Sequence, residues 1–287
     1  MKPAPFDYAR PDTLAATLAL LADQSKDSRI LAGGQSLVPM MNFRLARPER
    51  LIDINLIGDL DYIRRDGDEI AIGALARHAA VMASPVLKDA CPLVAQAYRW
   101  VAHHTIRARG TLCGNLCHAD PASEMPAVMQ ALDVILIARS VAGERRIPVR
   151  DFFSGAYKTV LSASEMLVEV RLPVRKSGYT HGFAETNVRK GDFALCCVAV
   201  VVHREADLVA AARVVVAGVA DRAMRLGDVE AAMVGRESSV IDVSALGCLA
   251  AAHASIEGDQ RTPTDYKRDL VAANVGRAVA EALNQAA

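Results

Sequence analysis

The chain has few aromatic residues, no excess of either charge and no long apolar run. Phe, Trp and Tyr account for 5% of its 287 residues, and 33 basic side chains balance 33 acidic ones. A nucleic-acid-binding protein usually carries a basic face, so this balance argues against that class. No run of about 18 uncharged apolar residues occurs, and residues 1–10 lack an apolar signal core, so we expect a soluble protein.

Cysteines are present, but their spacing fits no familiar framework. The six are Cys91, Cys113, Cys117, Cys196, Cys197 and Cys248. They form neither a disulfide pattern nor the clustered set that ligates an iron–sulfur centre, and the nearby histidines add no zinc-site spacing. We therefore expect free thiols in a reducing, cytoplasmic setting and no metal site in this chain.

The sequence also lacks the common signatures of catalysis and nucleotide binding. Ser36, Ser123 and Ser154 have no histidine and acid partners at a spacing that indicates a catalytic triad, which weakens a hydrolase interpretation. Neither the Rossmann G-x-G-x-x-G pattern nor the P-loop pattern is present. We therefore assign no catalytic residue. The 52% apolar content favours large cores or contact with other subunits.

Two glycine-rich loops stand out against this background. The first is Leu31-Ala32-Gly33-Gly34-Gln35-Ser36-Leu37, and the second is Arg109-Gly110-Thr111-Leu112-Cys113-Gly114-Asn115-Leu116. Because adjacent glycines have no Cβ, their backbone N–H groups can face outward toward a phosphate. Either loop alone could be a plain tight turn. As a pair, they favour the two sides of one dinucleotide pyrophosphate.

Local patterns predict where several elements begin and turn. Asp66-Gly67 lies between two alternating runs, which is typical of a hairpin. Asp12 and Thr264 are the expected N-caps of the first and last helices. Asp120 followed by proline also has the pattern of a helix start.

The sequence of the C-terminal part predicts strands followed by helices. Two long β-type runs, residues 194–203 and 208–219, precede three helical segments. The polar, glycine-containing segment 175–178 lies just before them and predicts a domain boundary. Strands first and helices after favour an α+β layout.

Three ordered segments carry a family resemblance. They are Ala32–Asn42 with its continuation through residues 44–54, residues 106–121, and Arg189–Leu195. The second contains a close match to R-x-R-G-T-[IL]-G-G-N-L-x-H-A-D-P, with Cys113 where glycine is usual. Together they resemble the FAD-binding medium subunit of the molybdenum hydroxylases, the xanthine dehydrogenase and carbon monoxide dehydrogenase family.

The resemblance implies a fold and its division into domains. Residues 1–174 would form the two-subdomain FAD-binding fold of the vanillyl-alcohol-oxidase (PCMH) type, with subdomains of about 1–57 and 58–174. Residues 178–287 would form a C-terminal α+β flavoprotein domain with a small antiparallel sheet and helices. The implied fold class is α+β.

The resemblance also implies which residues contact FAD. Backbone amides of residues 33–36 would bind the pyrophosphate, with Thr111 and Asn115 donating from the second loop. Glu124 would address ribityl or ribose hydroxyls, and Phe193 would lie near the isoalloxazine or, alternatively, start a strand in the core. The full predicted set is Leu31, Ala32, Gly33, Gly34, Gln35, Ser36, Leu37, Val101, Ala102, Ile106, Gly110, Thr111, Cys113, Gly114, Asn115, Asp120, Glu124, Leu167 and Phe193.

The implied function is that of an FAD-carrying subunit in a multi-subunit oxidoreductase. A large partner with a molybdopterin cofactor would hydroxylate the substrate, and a small partner with two [2Fe–2S] clusters would pass electrons to this chain for an external acceptor. The assembly would be a dimer of heterotrimers, without nucleic acid or membrane insertion. Two alternatives stay open, namely a flavin-free scaffold that bridges partner chains and a stand-alone flavin reductase of the same fold.

Overall fold

The computed structural model describes residues 2–259 and 262–285, and it begins with a small parallel sheet. The elements are β1 (Asp7–Ala9), α1 (Leu14–Ala22), β2 (Ser28–Leu31), α2 (Leu37–Asn42) and β3 (Arg50–Asp53). The strand order is β1-β3-β2, and Leu31 lies opposite Asp53. The edge strand β2 therefore leads directly into the first glycine loop, and α2 leads away from it.

The next part of the chain is an antiparallel sheet with short helices around it. Its elements are β4 (Ile63–Asp66), β5 (Glu69–Gly73), α3 (His78–Ala83), α4 (Pro85–Ala90), α5 (Pro92–Ala97), α6 (His104–Arg107), α7 (Leu112–His118), α8 (Glu124–Leu132), β6 (Ile135–Ser140), β7 (Gly143–Pro148), β8 (Phe153–Gly155), β9 (Lys158–Thr159) and β10 (Met166–Pro173). The main strand order is β4-β5-β10-β6-β7. The β4–β5 pairing confirms the hairpin predicted at Asp66-Gly67.

The C-terminal part is a four-stranded antiparallel sheet with helices on one face. Its elements are β11 (Tyr179–Thr186), β12 (Cys196–Glu205), β13 (Leu208–Ala217), β14 (Met224–Arg225), α9 (Gly227–Met233), α10 (Val243–His253) and α11 (Thr264–Asn284). The strands follow one another in the order β11-β12-β13-β14. Together with the preceding sheets, this arrangement confirms the predicted α+β class.

Strand β12 serves two cores because successive side chains point to opposite faces. Cys197, Ala199 and Val201 belong to the main core, which also contains α8. Val198 and Val200 belong to the second core with α10 and α11. Every residue of α8 is buried, since the helix lies between the C-terminal sheet and the rest of the chain. The exact domain division, at residues 174 and 178, stays a prediction.

Strand β11 was not predicted from the sequence. The expected two β runs correspond to β12 and β13, whereas residues 179–186 contain Gly182, which weakens a local strand pattern. In the structure that glycine lets α11 approach the sheet, because a Cβ on it would overlap the carbonyl oxygen of Ala278. The glycine is thus a packing feature of the strand.

Three predicted helix starts are wrong in detail. Thr13, not Asp12, caps α1, since the Thr13 hydroxyl accepts from the Ala16 amide at 3.2 Å. The N-cap of α11 is Pro263, and Thr264 is the first helical residue. Asp120 begins no helix, because its carboxylate accepts from the Ala122 amide in a local turn at 2.9 Å. An aspartate side chain favours both helix N-caps and local turns, and at Asp120 the turn forms.

Within residues 2–259 and 262–285, no helix combines the length and apolar character that a membrane span requires.

Candidate functional site

The first glycine loop presents unbonded backbone donors. Gly34 has a φ of +72°, in the left-handed region that favours glycine. In the described part of the chain, the N–H groups of residues 33–36 donate no hydrogen bond, while the Gly34 carbonyl accepts from Val38 at 3.1 Å and the Gly33 carbonyl accepts from the Gln35 side chain at 3.1 Å. Four adjacent amides are therefore available to an anion.

The second glycine loop is largely occupied with its own structure. Thr111 caps α7, and its hydroxyl accepts from the Gly114 amide at 3.1 Å. The amides of Gly110 and Leu112 donate to Ile106 and Ala76, at 2.7 and 3.3 Å. Thr111 is only 2% exposed. Most backbone amides of this loop are therefore already hydrogen-bonded within the protein, and few are free to bind a ligand.

The two loops touch each other at their glycines. A Cβ built on Gly33 would lie 2.6 Å from the Cα of Gly110, and closer still to the carbonyl oxygen of Arg109. Backbone atoms cannot give way at such a distance, so the approach requires glycine at position 33. The structure thus brings together the pair of loops that the sequence predicted to share one ligand.

A side-chain relay ties the loops together behind this contact. The Asn55 amide donates to the Ala32 carbonyl at 2.9 Å, and its oxygen accepts from Arg77 at 2.6 Å. The Arg77 guanidinium also donates to the Arg109 carbonyl at 2.7 Å. Asn55 is itself positioned by Asp53, which accepts from the Asn55 backbone amide at 2.9 Å.

Asn55 and Arg77 were not predicted from the sequence as site residues. Asn55 follows β3, which is the neighbour of the strand that leads into the first loop. This location is the only feature of the local sequence that could have indicated a site residue. Arg77 directly precedes α3, a place where an arginine is more often solvated. Their partners lie 22 and 32 residues away in the chain, so the relay depends on tertiary structure.

A third segment, residues 101–107, is held beside a C-terminal turn. Ala102 has a φ of +51°, and its carbonyl accepts from the Arg107 side chain at 2.6 Å. Val101 is buried and Ile106 is 36% exposed. A Cβ on Gly191 would lie 3.1 Å from the Ala102 carbonyl oxygen, which places the turn at residues 191–193 directly against this segment.

Phe193 is an exposed aromatic at that turn. Its side chain is 61% exposed, and it precedes β12 without belonging to it. The alternative that it begins a strand in the core is therefore wrong. Its neighbour Ala194 donates to the Ala122 carbonyl at 3.2 Å, so the Phe193 turn also borders the segment after the second loop.

The acidic residues after the second loop differ in exposure and partners. Asp120 accepts from the Tyr157 hydroxyl at 3.3 Å as well as from its own turn. Glu124, the first residue of α8, is only 4% exposed, and burial raises the pKa of Glu124 to about 7. In the described chain its carboxylate makes no hydrogen bond to another side chain.

Glu185 on β11 is a second buried carboxyl close to Glu124. Burial first, and then the Glu124 charge, raise the pKa of Glu185 to about 8. Its Oε1 accepts from Asn187 at 2.8 Å, whereas Oε2 has no partner among the described residues. Both carboxyls therefore retain protons close to neutral pH.

Three further members of the predicted set have mainly internal contacts. Asn115 and Ser123 hydrogen-bond each other at 2.9 and 3.1 Å. Cys113 is 3% exposed and packs in the main core, where burial raises the pKa of its thiol. Leu167 is also 3% exposed and lies at a bulge in β10. Contact between these residues and a ligand stays a prediction.

Family comparison places both parts of the chain. Residues 4–175 match the family described as the FAD binding domain in molybdopterin dehydrogenase. Residues 181–282 match the carbon monoxide dehydrogenase flavoprotein C-terminal domain.

Individual relatives are similar over nearly their full length. The chain is 38% identical to the 6-hydroxypseudooxynicotine dehydrogenase complex subunit alpha of Paenarthrobacter nicotinovorans, covering 100% of this chain and 97% of that protein. It is 34% identical to the carbon monoxide dehydrogenase medium chain of Hydrogenophaga pseudoflava, covering 100% and 98%.

Solved structures give the same picture of the fold. A carbon monoxide dehydrogenase chain from H. pseudoflava superposes with a TM-score of 0.96 at 34% identity, covering 100% of both chains. A chain of quinoline 2-oxidoreductase from Pseudomonas putida 86 gives 0.92 at 33% identity, covering 99% of this chain and 98% of that one.

Proposed function

Since this chain belongs to the FAD-binding medium subunits of the molybdenum hydroxylase family, we propose that its two touching glycine loops hold the pyrophosphate of FAD. Membership confirms the predicted family, the oxidoreductase class and the fold of an FAD-binding domain followed by a flavoprotein C-terminal domain. The residue-level assignment rests on the geometry of the loops.

The single observation that carries the assignment is the row of unbonded amides at residues 33–36 beside the Gly33–Gly110 contact. A pyrophosphate needs several donors on a concave, side-chain-poor backbone, and four adjacent N–H groups meet that need. The residues present therefore fit the cofactor. The Ser36 hydroxyl is a fifth donor in the same turn.

In this proposal the second loop mainly holds the first loop in place and donates few hydrogen bonds to FAD itself. Thr111 and Gly114 fix the start of α7, and the Asn55–Arg77 relay fixes the loop against the first one. Rigid placement of the first-loop amides lowers the ordering cost of binding.

The remaining predicted residues would accommodate the other groups of the cofactor. Bound FAD supplies the redox chemistry that the protein itself lacks. The exposed Phe193 ring offers a surface for stacking on the isoalloxazine. Glu124 holds a proton at its buried carboxyl near neutral pH and can donate it to a ribityl or ribose oxygen.

For the complex, the proposal follows the family expectation. This chain receives electrons from the [2Fe–2S] clusters of a small partner subunit and delivers them to an external acceptor. A large partner subunit carries the molybdenum cofactor and hydroxylates the substrate, and the whole forms a dimer of heterotrimers in the cytoplasm. Medium-chain and subunit names among the relatives support a multi-subunit assembly.

Purification of the native complex tests this function. We expect the chain to copurify with two partner subunits and to show a visible flavin spectrum with one FAD per chain. A colourless protein that also rejects added FAD would instead support a flavin-free scaffold. A yellow chain that purifies alone and reduces an acceptor would support the stand-alone reductase.

A further inference from the structure

A cavity lies at the junction of the two halves of the chain, apart from the glycine loops. Its volume is about 300 Å³, which is at the lower end of the volume range of small-molecule binding pockets. The residues that form it come from the ends of α4 and α8, the start of α5, the segment after β10 and one face of the C-terminal sheet. None of them belongs to the predicted FAD set, so the cavity requires a separate explanation.

The polar lining of the junction cavity is mainly basic. Arg175, Lys176 and Arg213 line it, and within the described residues none of them forms an ion pair. Asp133 is the acid among the described lining residues, and it lies beyond salt-bridge distance of any described cation. Three cations against one acid give the described lining a net positive charge, although the Asp133 and Glu230 carboxylates still attract Arg213.

Arg213 is the least exposed of these cations. Its Nε donates to the Ala131 carbonyl at 2.6 Å, which fixes the plane of the guanidinium. Its two terminal nitrogens make no hydrogen bond in the described part of the protein. Arg213 lies opposite Val201 in the sheet register, on the face that belongs to the main core. A half-buried guanidinium with an open fork suits a carboxylate, which it can bind through two bonds.

Arg175 adds a second positioned cation at the mouth of the cavity. Its backbone amide donates to the Ala90 carbonyl, and its Nε donates to the Tyr179 carbonyl, both at 2.8 Å. These bonds hold the residue in place while its terminal nitrogens stay free in the described structure. The walls between the cations are apolar and include Leu93, Leu132 and Val201.

We propose that the junction cavity binds a small organic carboxylate with an apolar body. The carboxylate would pair with the open guanidinium fork of Arg213, assisted by Arg175 and Lys176, and the apolar body would pack on Leu93 and Leu132. Such a ligand contacts both halves of the chain and therefore stabilises their junction. This inference does not depend on the FAD assignment.

Isothermal titration of the purified complex with benzoate tests the proposal, with benzyl alcohol as the neutral analogue and inorganic phosphate as the polar anion. We expect saturable benzoate binding that weakens with added salt, and much weaker binding of both other probes. If no saturable heat appeared up to roughly 10 mM benzoate, the Kd would lie above that concentration. This result would contradict the proposed site. Phosphate binding as tight as benzoate would overturn the role of the apolar walls.

Variants locate the site. Arg213→Gln should weaken benzoate binding about tenfold, the scale of one charge-assisted contact. Because loss of the Ala131 bond could disturb folding, the exposed pair Arg175→Gln with Lys176→Gln gives a second measure, with about threefold to tenfold weakening expected. Arg236→Gln, an exposed arginine outside the cavity, is the matched control. Unchanged benzoate affinity in both test variants would contradict the proposal, whatever the flavin content.

Discussion

The two glycine loops look alike in sequence but have different roles in the structure. The first, residues 31–37, leaves its amides unbonded over four consecutive residues of the described chain, whereas the second, residues 109–116, uses several of its amides and the Thr111 hydroxyl to build α7. Similar glycine content thus leaves free amide donors in one loop and builds a helix start in the other. Changes in the first loop should therefore affect FAD binding, and changes in the second should affect stability.

The largest effect is expected where the loops meet. Gly33→Ala places a Cβ against the backbone of residues 109 and 110, so the loops must separate. We expect FAD affinity to fall at least about a hundredfold, equivalent to about 2.7 kcal/mol. Fluorescence titration of the FAD-depleted protein measures it. Gly58→Ala, at a glycine with open space around it, is the control, and wild-type FAD affinity in Gly33→Ala would contradict the model of touching loops.

The second-loop side should also carry the pH dependence, since residues 31–37 contain no titratable side chain. Folded Glu124 and Glu185 have pKa values of about 7 and about 8, above the ordinary value of 4.5. Between the ordinary value and these raised values the two carboxyls bind more protons in the folded protein than in the unfolded chain, so their contribution to the free energy of unfolding falls as pH rises. Burial lowers the pKa of His78 to about 4, so His78 contributes in the opposite direction below about pH 6.5.

Glu124→Gln should remove much of this pH dependence. We expect the loss of stability between about pH 5 and pH 8 to shrink by about 2 kcal/mol, since one pKa unit corresponds to about 1.4 kcal/mol. Chemical denaturation of the FAD-free protein at several pH values measures the change. Glu237→Gln, at an exposed glutamate, should leave the profile unchanged. A Glu124→Gln profile identical to that of the wild type over this range would show that the Glu124 carboxyl is already ionised in the folded protein.

The relay between the loops should have an intermediate effect on FAD. Arg77→Ala breaks the connection from Asn55 to the Arg109 carbonyl, so the loops lose their fixed spacing. We expect FAD affinity to fall about tenfold, or about 1.4 kcal/mol. Arg99→Ala removes the same charge from an exposed position and is the control. Equal FAD affinities for the two variants would show that Arg77 does not position the loops for FAD binding.

The smallest effect is expected from the cap of the second loop. Thr111→Ala removes the hydroxyl that accepts from Gly114 and should reduce the free energy of unfolding by about 1 kcal/mol. FAD affinity should change less than in Arg77→Ala. Thermal denaturation measures the loss, and Thr111→Ser should restore it. If Thr111→Ala instead lost FAD without losing stability, the hydroxyl would act directly on the ligand.

Local sequence signals predicted the parts of the molecule that local chemistry determines. The Asp66-Gly67 hairpin and both glycine loops are encoded in a few adjacent residues, and the structure contains all three turns. Strand β11 was missed because the reason for Gly182 lies on α11, almost a hundred residues later. Sequence periodicity cannot report such a partner.

The candidate site shows the same limit. The loops and Glu124 were predicted from motifs, but Asn55 and Arg77 became visible only when folding brought residues 32, 55, 77 and 109 together. The prediction that Asp120 begins a helix was wrong because an aspartate can equally stabilise a turn. Long-range hydrogen bonds and competing local ones both require the tertiary structure.

The most direct test of the central claim is an experimental structure of the FAD-loaded protein. We expect pyrophosphate oxygens within about 3.2 Å of the amide nitrogens of residues 33–36, with Gly33 still in contact with Gly110. A pyrophosphate bound elsewhere, or loops that move apart to admit the cofactor, would contradict it.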